Sequence, residues 1–184
     1  TAPHSPWSRE NHPDGTYDDY YQNCPFNSVP ETQRHPWQGN ALFPRTDQER
    51  RSHLSGYYTA VTEMDRNVGR VLDWLEENCL REDTMVLFLS DNGMSMGHHG
   101  IYGKGNGTFP LNMYDTAVKV PALISWPGTI SPGEQCEELL SQYDIMPTIL
   151  DVAGIELPDV EERPGESFYD VLVGESSDEG RDSV

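Results

Sequence analysis

The residues best suited to chemistry lie in one stretch, Phe88-Leu-Ser-Asp-Asn-Gly-Met-Ser-Met-Gly-His-His-Gly-Ile-Tyr-Gly-Lys-Gly105. An apolar run from Met85 to Leu89 ends abruptly in Ser90-Asp91-Asn92-Gly93. Short apolar runs of this kind read as buried strands. In open α/β sheets, ligands collect at the carboxyl ends of such strands. The carboxylate of Asp91 and the amide oxygen of Asn92 suit a hard, oxygen-seeking cation, although Asp-Asn-Gly is also the chemistry of a tight turn. Lys104 stands between Gly103 and Gly105, which permit close backbone approach to a ligand. Its ammonium suits an anion held against that cation. His98 and His99 are candidate metal ligands, but adjacent side chains point in different directions, and the pair also reads as a polar loop. The pattern Gly103-x-Gly105-x-Gly107 is neither a dinucleotide fingerprint nor a P-loop: no Ser or Thr follows Lys104, and Pro110 comes soon after. Near the other end, His4 lies between Pro3 and Pro6, a rigid setting for proton transfer at neutral pH.

Positioning these groups takes helices and strands. Thr46 and Glu49 have capping-box spacing. Apolar residues then recur at three- and four-residue steps from Leu54 through Tyr58, Val61, Val68 and Leu72 to Leu75. A helix is predicted from about Asp47 to Asn78, its apolar stripe serving as core. A strand is predicted over Thr84 to Ser90 and another over Val120 to Trp126, with Pro121 confined to its start or to an edge. A further helix is predicted from about Gln142 to Ala153, starting nearer Asp144 if Pro147 sets its first turn; Gly154 sits where a helix stop belongs. Helix, strand, loop, strand and helix make an α/β chain.

Residues 1–46 read as an aromatic and proline-rich loop region, 47–154 as the core, and 155–184 as an acidic, partly solvated tail. The strand Val86-Leu-Phe-Leu89 is apolar on both faces, so it belongs inside a sheet covered on both sides. Two or three strands cannot provide that cover. The chain is therefore expected to be an internal fragment with an incomplete sheet.

The 184 residues include 31 acidic and 12 basic ones, for a formal charge of −19. That balance argues against nucleic acid or an anionic membrane as partner, since both reward clustered Lys and Arg. No apolar run approaches a membrane span. The three cysteines, Cys24, Cys79 and Cys136, are far apart and form no CxxC or Cys/His spacing. Neither a disulfide framework nor a structural zinc site is indicated.

Taken together and in order, the motifs resemble the sulfatase family of the alkaline-phosphatase superfamily. The resemblance runs through Ala2-Pro3-His4-Ser5-Pro6-Trp7, Tyr57-Tyr58-x-Ala60-Val61-x-x-Met64-Asp65-x-x-Val68-Gly69 and Ser90-Asp91-Asn92-Gly93. It continues through Gly97-His98-His99-Gly100-Ile-Tyr-Gly-Lys104-Gly105, Met113-Tyr114-Asp115-x-x-x-Lys119-Val-Pro121 and Asp144-Ile-x-Pro147-Thr148-x-Leu150-x-x-x-Gly154. The family's Gly-Glu-His-Gly is Gly97-His98-His99-Gly100 here, which makes His99 the matching histidine. Lys119 stands where an arginine often precedes Val-Pro.

The resemblance implies part of an αβα sandwich of alkaline-phosphatase type. It implies Asp91 and Asn92 as two ligands of a calcium ion, and Lys104 on the sulfate oxygens. His4 would lie on the leaving-group side, binding sulfate or protonating the departing oxygen. His99 and Asn106 are further candidates for substrate contact, and the stretch from Tyr17 to Trp37 with Asn112 could line a pocket for a sugar sulfate. The family nucleophile is a formylglycine made from Cys or Ser in Cys/Ser-x-Pro-x-Arg, accompanied by an upstream Asp-Asp pair. None of the three cysteines has that context, and Asp18-Asp19 follows the His4 motif instead of preceding it. The remainder of a parent chain is thus implied as partner, and the 184 residues alone are expected to be inactive. The alternatives are a phosphate or phosphonate monoester hydrolase of the same superfamily, a non-catalytic carbohydrate-binding relative, or a generic acidic α/β domain.

Overall fold

The computed structural model describes residues 21, 23–26, 29, 33–39, 43–156 and 164–175. Thr46 caps the first long helix, α1, which spans Asp47–Glu77. The Thr46 hydroxyl accepts the backbone N–H of Glu49 at 3.1 Å, satisfying one of the donors a helix start leaves over. Glu49 in turn accepts the backbone N–H of Arg45 at 2.6 Å, one residue earlier than a capping box would place it. Asn78, predicted as the last helical residue, is instead the C-cap.

The strand β1 spans Val86–Leu89, shorter than the predicted 84–90. Between it and the next long strand lie β2 (Ser95–Met96) and β3 (Tyr102–Gly103). They pair antiparallel, Ser95 opposite Gly103 and Met96 opposite Tyr102. Single 3-10 turns cover His98–Gly100 and Gly105–Gly107. A one-turn helix, α2 (Asp115–Val118), leads to β4 (Ala122–Ser125). The predicted strand began at Val120; the observed one starts just past Pro121, which has no N–H to give a ladder. β1 and β4 form a two-stranded sheet. All four β1 residues are only half-buried, so the cover that its apolar sequence calls for is absent among the described residues.

A 3-10 turn at Gln142–Asp144 runs into α3 (Ile145–Val152). Pro147 is tolerated in α3 because it lies in the first turn, where an N–H has no intrahelical acceptor. A last short helix, α4, spans Tyr169–Leu172.

The chain divides into two compact units, residues 1–78 with 87–123, and residues 79–86 with 124–184. In the first, Phe26, Val29, Leu54, Met96 and Tyr102 form the core. Leu54 is fully buried, which stabilises the fold by about 1.5–3 kcal/mol relative to exposure. Tyr58 of α1 stacks on Tyr21 at 5.6 Å and on Phe26 at 5.5 Å between ring centroids. These aromatics pin the described part of the 1–46 region to α1.

In the second unit the fully buried Asp144 is the organising residue. Its carboxylate accepts the backbone N–H of Ser141 at 2.7 Å and that of Glu166 at 2.9 Å. Thr148 donates to the Asp144 carbonyl at 2.7 Å and accepts the N–H of Phe168 at 3.0 Å. Residues 164–175 of the acidic tail are thereby docked, with Phe168 buried. No helix among the described residues is long and apolar enough to cross a membrane.

Candidate functional site

Asp91 and Asn92 occupy the turn that leaves the carboxyl end of β1. The Ser90 hydroxyl donates to the Asn92 carbonyl at 2.9 Å, and the Asn92 amide donates to the Asp91 carboxylate. The turn is pressed onto α2 through Gly93, whose N–H donates to the Ala117 carbonyl at 3.0 Å. A Cβ at Gly93 would lie 2.3 Å from the Thr116 carbonyl oxygen; only glycine allows this approach. Ser95 and Thr116 add a hydroxyl–hydroxyl bond of 2.8 Å. The backbone beneath the two oxygen donors is fixed, while the Asp91 carboxylate faces solvent with its side chain 83% exposed.

Lys104 comes to the same place from the other side. Its ammonium lies 3.9 Å from the Asp91 carboxylate. Its backbone is held closely: its carbonyl accepts the N–H of Gly107 at 2.8 Å, and Asn112 donates to the Gly105 carbonyl at 3.0 Å and to the Thr108 hydroxyl at 3.1 Å. The side chain itself is half exposed. A rigid root with a solvated ammonium is an arrangement that takes an anion without rebuilding the loop.

His98 and His99 diverge, as adjacent residues must. His99 has φ 58°, stacks on Tyr114 with centroids 4.1 Å apart and planes 11° apart, and is exposed. His98 is partly buried, and its Nδ1 is enclosed without a hydrogen-bond partner. His35 is edge-on to both Tyr114 and Trp37, at 6.2 and 5.5 Å. His99, Tyr114, His35 and Trp37 thus form one run of rings in the first unit.

Of the other predicted residues, Asn106 is exposed and Asn112 is buried. The amide nitrogen of Asn112 is committed to the loop itself. His4 and the stretch 17–20 lie outside the described residues. Asp91 and Asn92 supply two oxygen donors of the kind a hard cation takes, against the six to eight such an ion needs. No group of three or more His, Cys, Asp or Glu that would complete a metal site is present among the described residues. The donor pair therefore fits as a share of a cation site.

Sequence reasoning missed Gln38. Its carboxamide is buried and pairs with both backbone groups of Tyr102. Tyr102 lies 64 residues away, and no local pattern announces such a contact.

A family model described as Sulfatase matches residues 1–155. Steryl-sulfatase of Homo sapiens is 34% identical over 143 residues, covering 74% of this chain and 24% of that protein. A solved structure described as in complex with its substrate D-glucosamine-2-N,6-O-disulfate is 29% identical with a TM-score of 0.65, over 72% of this chain and 26% of its own. A phosphonate monoester hydrolase from Silicibacter pomeroyi is 32% identical with a TM-score of 0.66, over 75% of this chain and 26% of its own. The chain spans about a quarter of the length of each of these relatives.

Proposed function

Because the chain belongs to the sulfatase family, we propose that it carries part of the metal site and part of the anion pocket of a sulfate-ester hydrolase. The observation that carries this reading is the meeting of Asp91 and Lys104, 3.9 Å apart, on two loops whose backbones are independently fixed. Asp91 and Asn92 hold a divalent cation, calcium on the family pattern, and the remaining ligands come from the parent chain. Such a cation, when bound, polarises the sulfuryl oxygens and offsets charge shifting in the transition state.

Lys104 places a fixed positive charge on the sulfate oxygens. On the family pattern His4 is assigned to the leaving-group side, to bind the sulfate or to protonate the departing oxygen. His99, held in place by Tyr114, contacts the substrate beyond the sulfate, and the exposed Asn106 is a second contact. The nucleophile is a formylglycine supplied by the parent chain. The substrate is a sulfate ester, and the sugar sulfate bound by the relative described above makes a sulfated carbohydrate the first class to test. A phosphonate monoester is the second, favoured by the 32% identity to the phosphonate monoester hydrolase.

The deciding experiment is steady-state kinetics of the full-length parent on matched aryl sulfate and aryl phosphonate esters. The expected result is a higher kcat/KM on the sulfate, falling about 10²–10³-fold in Lys104→Ala, the range for loss of one preorganised charge-stabilising group. Asp91→Ala is expected to lower kcat/KM and to raise the concentration of added divalent cation needed for turnover. Turnover of sulfate ester unaffected by either substitution would remove Asp91 and Lys104 from the site.

A further inference from the structure

The loop that carries Lys104 is strapped from outside by residues 33–39. The backbone N–H of His35 donates to the Gly100 carbonyl at 2.9 Å, that of Gly39 to the Gly107 carbonyl at 3.0 Å, and that of Phe109 to the Trp37 carbonyl at 3.1 Å. Between these bonds sits the Gln38 side chain, 4% exposed. Its Nε2 donates to the Tyr102 carbonyl at 3.2 Å, and its Oε1 accepts the Tyr102 N–H at 2.9 Å. Turning the amide over would set oxygen against oxygen and N–H against N–H, so the pairing fixes its orientation.

Successive residues of a strand send their backbone groups to opposite edges. The Ile101 carbonyl accepts the Gly97 N–H at 2.8 Å on the β2 side, so Tyr102 presents its own pair on the far side. The Gln38 carboxamide fills that far edge in place of a neighbouring strand's backbone. Lys104 follows two residues later, and its carbonyl is tied to Gly107, which the strap also holds. The backbone on both sides of Lys104 is therefore tied to residues 38–39, through Tyr102 before it and Gly107 after it, alongside the pairing of Gly103 with Ser95 and the Asn112 bonds to Gly105. Among the described residues the Lys104 ammonium makes one ion pair, the long one to Asp91, so its position is set by its root.

We propose that Gln38 is a positioning residue for Lys104: through Tyr102 it fixes the backbone from which the ammonium reaches the anion. This rests on the sulfatase reading of the Asp91–Lys104 site. Replacing the carboxamide by an apolar group leaves two buried backbone groups of Tyr102 without partners and lets the root of Lys104 shift. Small displacements of a charge-stabilising group reduce rate steeply, by up to about 10²-fold for 1 Å.

The test is a double-variant cycle in the full-length parent, with Gln38→Leu and Lys104→Ala alone and combined. The readouts are kcat/KM on an aryl sulfate, inhibition by inorganic sulfate, and thermal unfolding. Gln38→Leu alone is expected to lower kcat/KM about 10–100-fold and to weaken inhibition by sulfate. In the Lys104→Ala background it is expected to change kcat/KM less than about twofold, because coupled residues are not additive. The fall in Tm should be the same in both backgrounds.

Equal kcat/KM losses in both backgrounds would overturn the proposal and leave Gln38 a purely structural residue. Unchanged kinetics in Lys104→Ala alone would instead overturn the reading of the site, and is recognised in that single variant. If Gln38→Leu does not fold, Gln38→Glu keeps an acceptor for the Tyr102 N–H. Its smaller loss must show the same dependence on Lys104.

Discussion

Residue type marks Asp91, Asn92 and Lys104 as candidates for chemistry, but environment separates residues of one type. His99 lies on a ring at the surface and His98 has a nitrogen enclosed. His53, on α1 near the edge of Tyr102, is a third case, and nothing in its sequence context singled it out. Burial holds its imidazole pKa below the ordinary 6.5, with Glu49 one turn earlier partly opposing the shift. The sign follows from proton counting. Between the lowered folded value and 6.5, the unfolded chain binds more protons than the folded one. The contribution of neutral His53 is thus complete above about pH 6.5 and is lost as pH falls through the folded value. Urea midpoints at pH 7.5 and pH 5 should differ less in His53→Gln than in the parent sequence. An unchanged difference would show that His53 does not titrate in this range.

Elements position these residues by contacts that small substitutions break. Gly93→Ala puts a methyl into the α2 backbone at Thr116 and Ala117. A backbone wall cannot turn aside, so a loss of about 1–3 kcal/mol is expected, as for overpacking generally, with the Asp91–Asn92 turn displaced. Chemical denaturation measures the first effect, and under the proposed function divalent-cation titration of the full-length protein measures the second. Asp144→Ala removes the acceptor of two backbone N–H groups at once. Each buried donor left unpaired costs about 1–3 kcal/mol. The expected result is a lower unfolding midpoint together with faster proteolysis of the 164–175 segment. Retained protection there would mean that buried Phe168 and the Thr148 and Asp151 hydrogen bonds suffice to dock it. The periodicity of α1 and the apolar runs of β1 and β4 made those elements legible. The β2–β3 pair was not, because two-residue strands have no period to read.

At the scale of the molecule, the ordered motifs led to the sulfatase family and its α/β fold, which the structural neighbours bear out. The chain spans about a quarter of such relatives, and none of its cysteines stands in the nucleophile motif. The purified 184-residue chain is therefore predicted not to hydrolyse a chromogenic sulfate ester. Turnover that disappears in Asp91→Ala would refute this and place a nucleophile within these residues. The sequence by itself determined the order of the motifs, the oxygen donors of Asp91 and Asn92, the cation at Lys104, and the helix that starts at Thr46. These are local properties, set by side-chain chemistry and by the short periods of regular backbone. Only the tertiary structure decided that Gln38 clamps Tyr102, that α2 sits against Gly93, and that Asp144 captures residues 164–175. Such contacts join residues whose separation along the chain has no period, so buried backbone groups find their partners only once the chain has closed on itself.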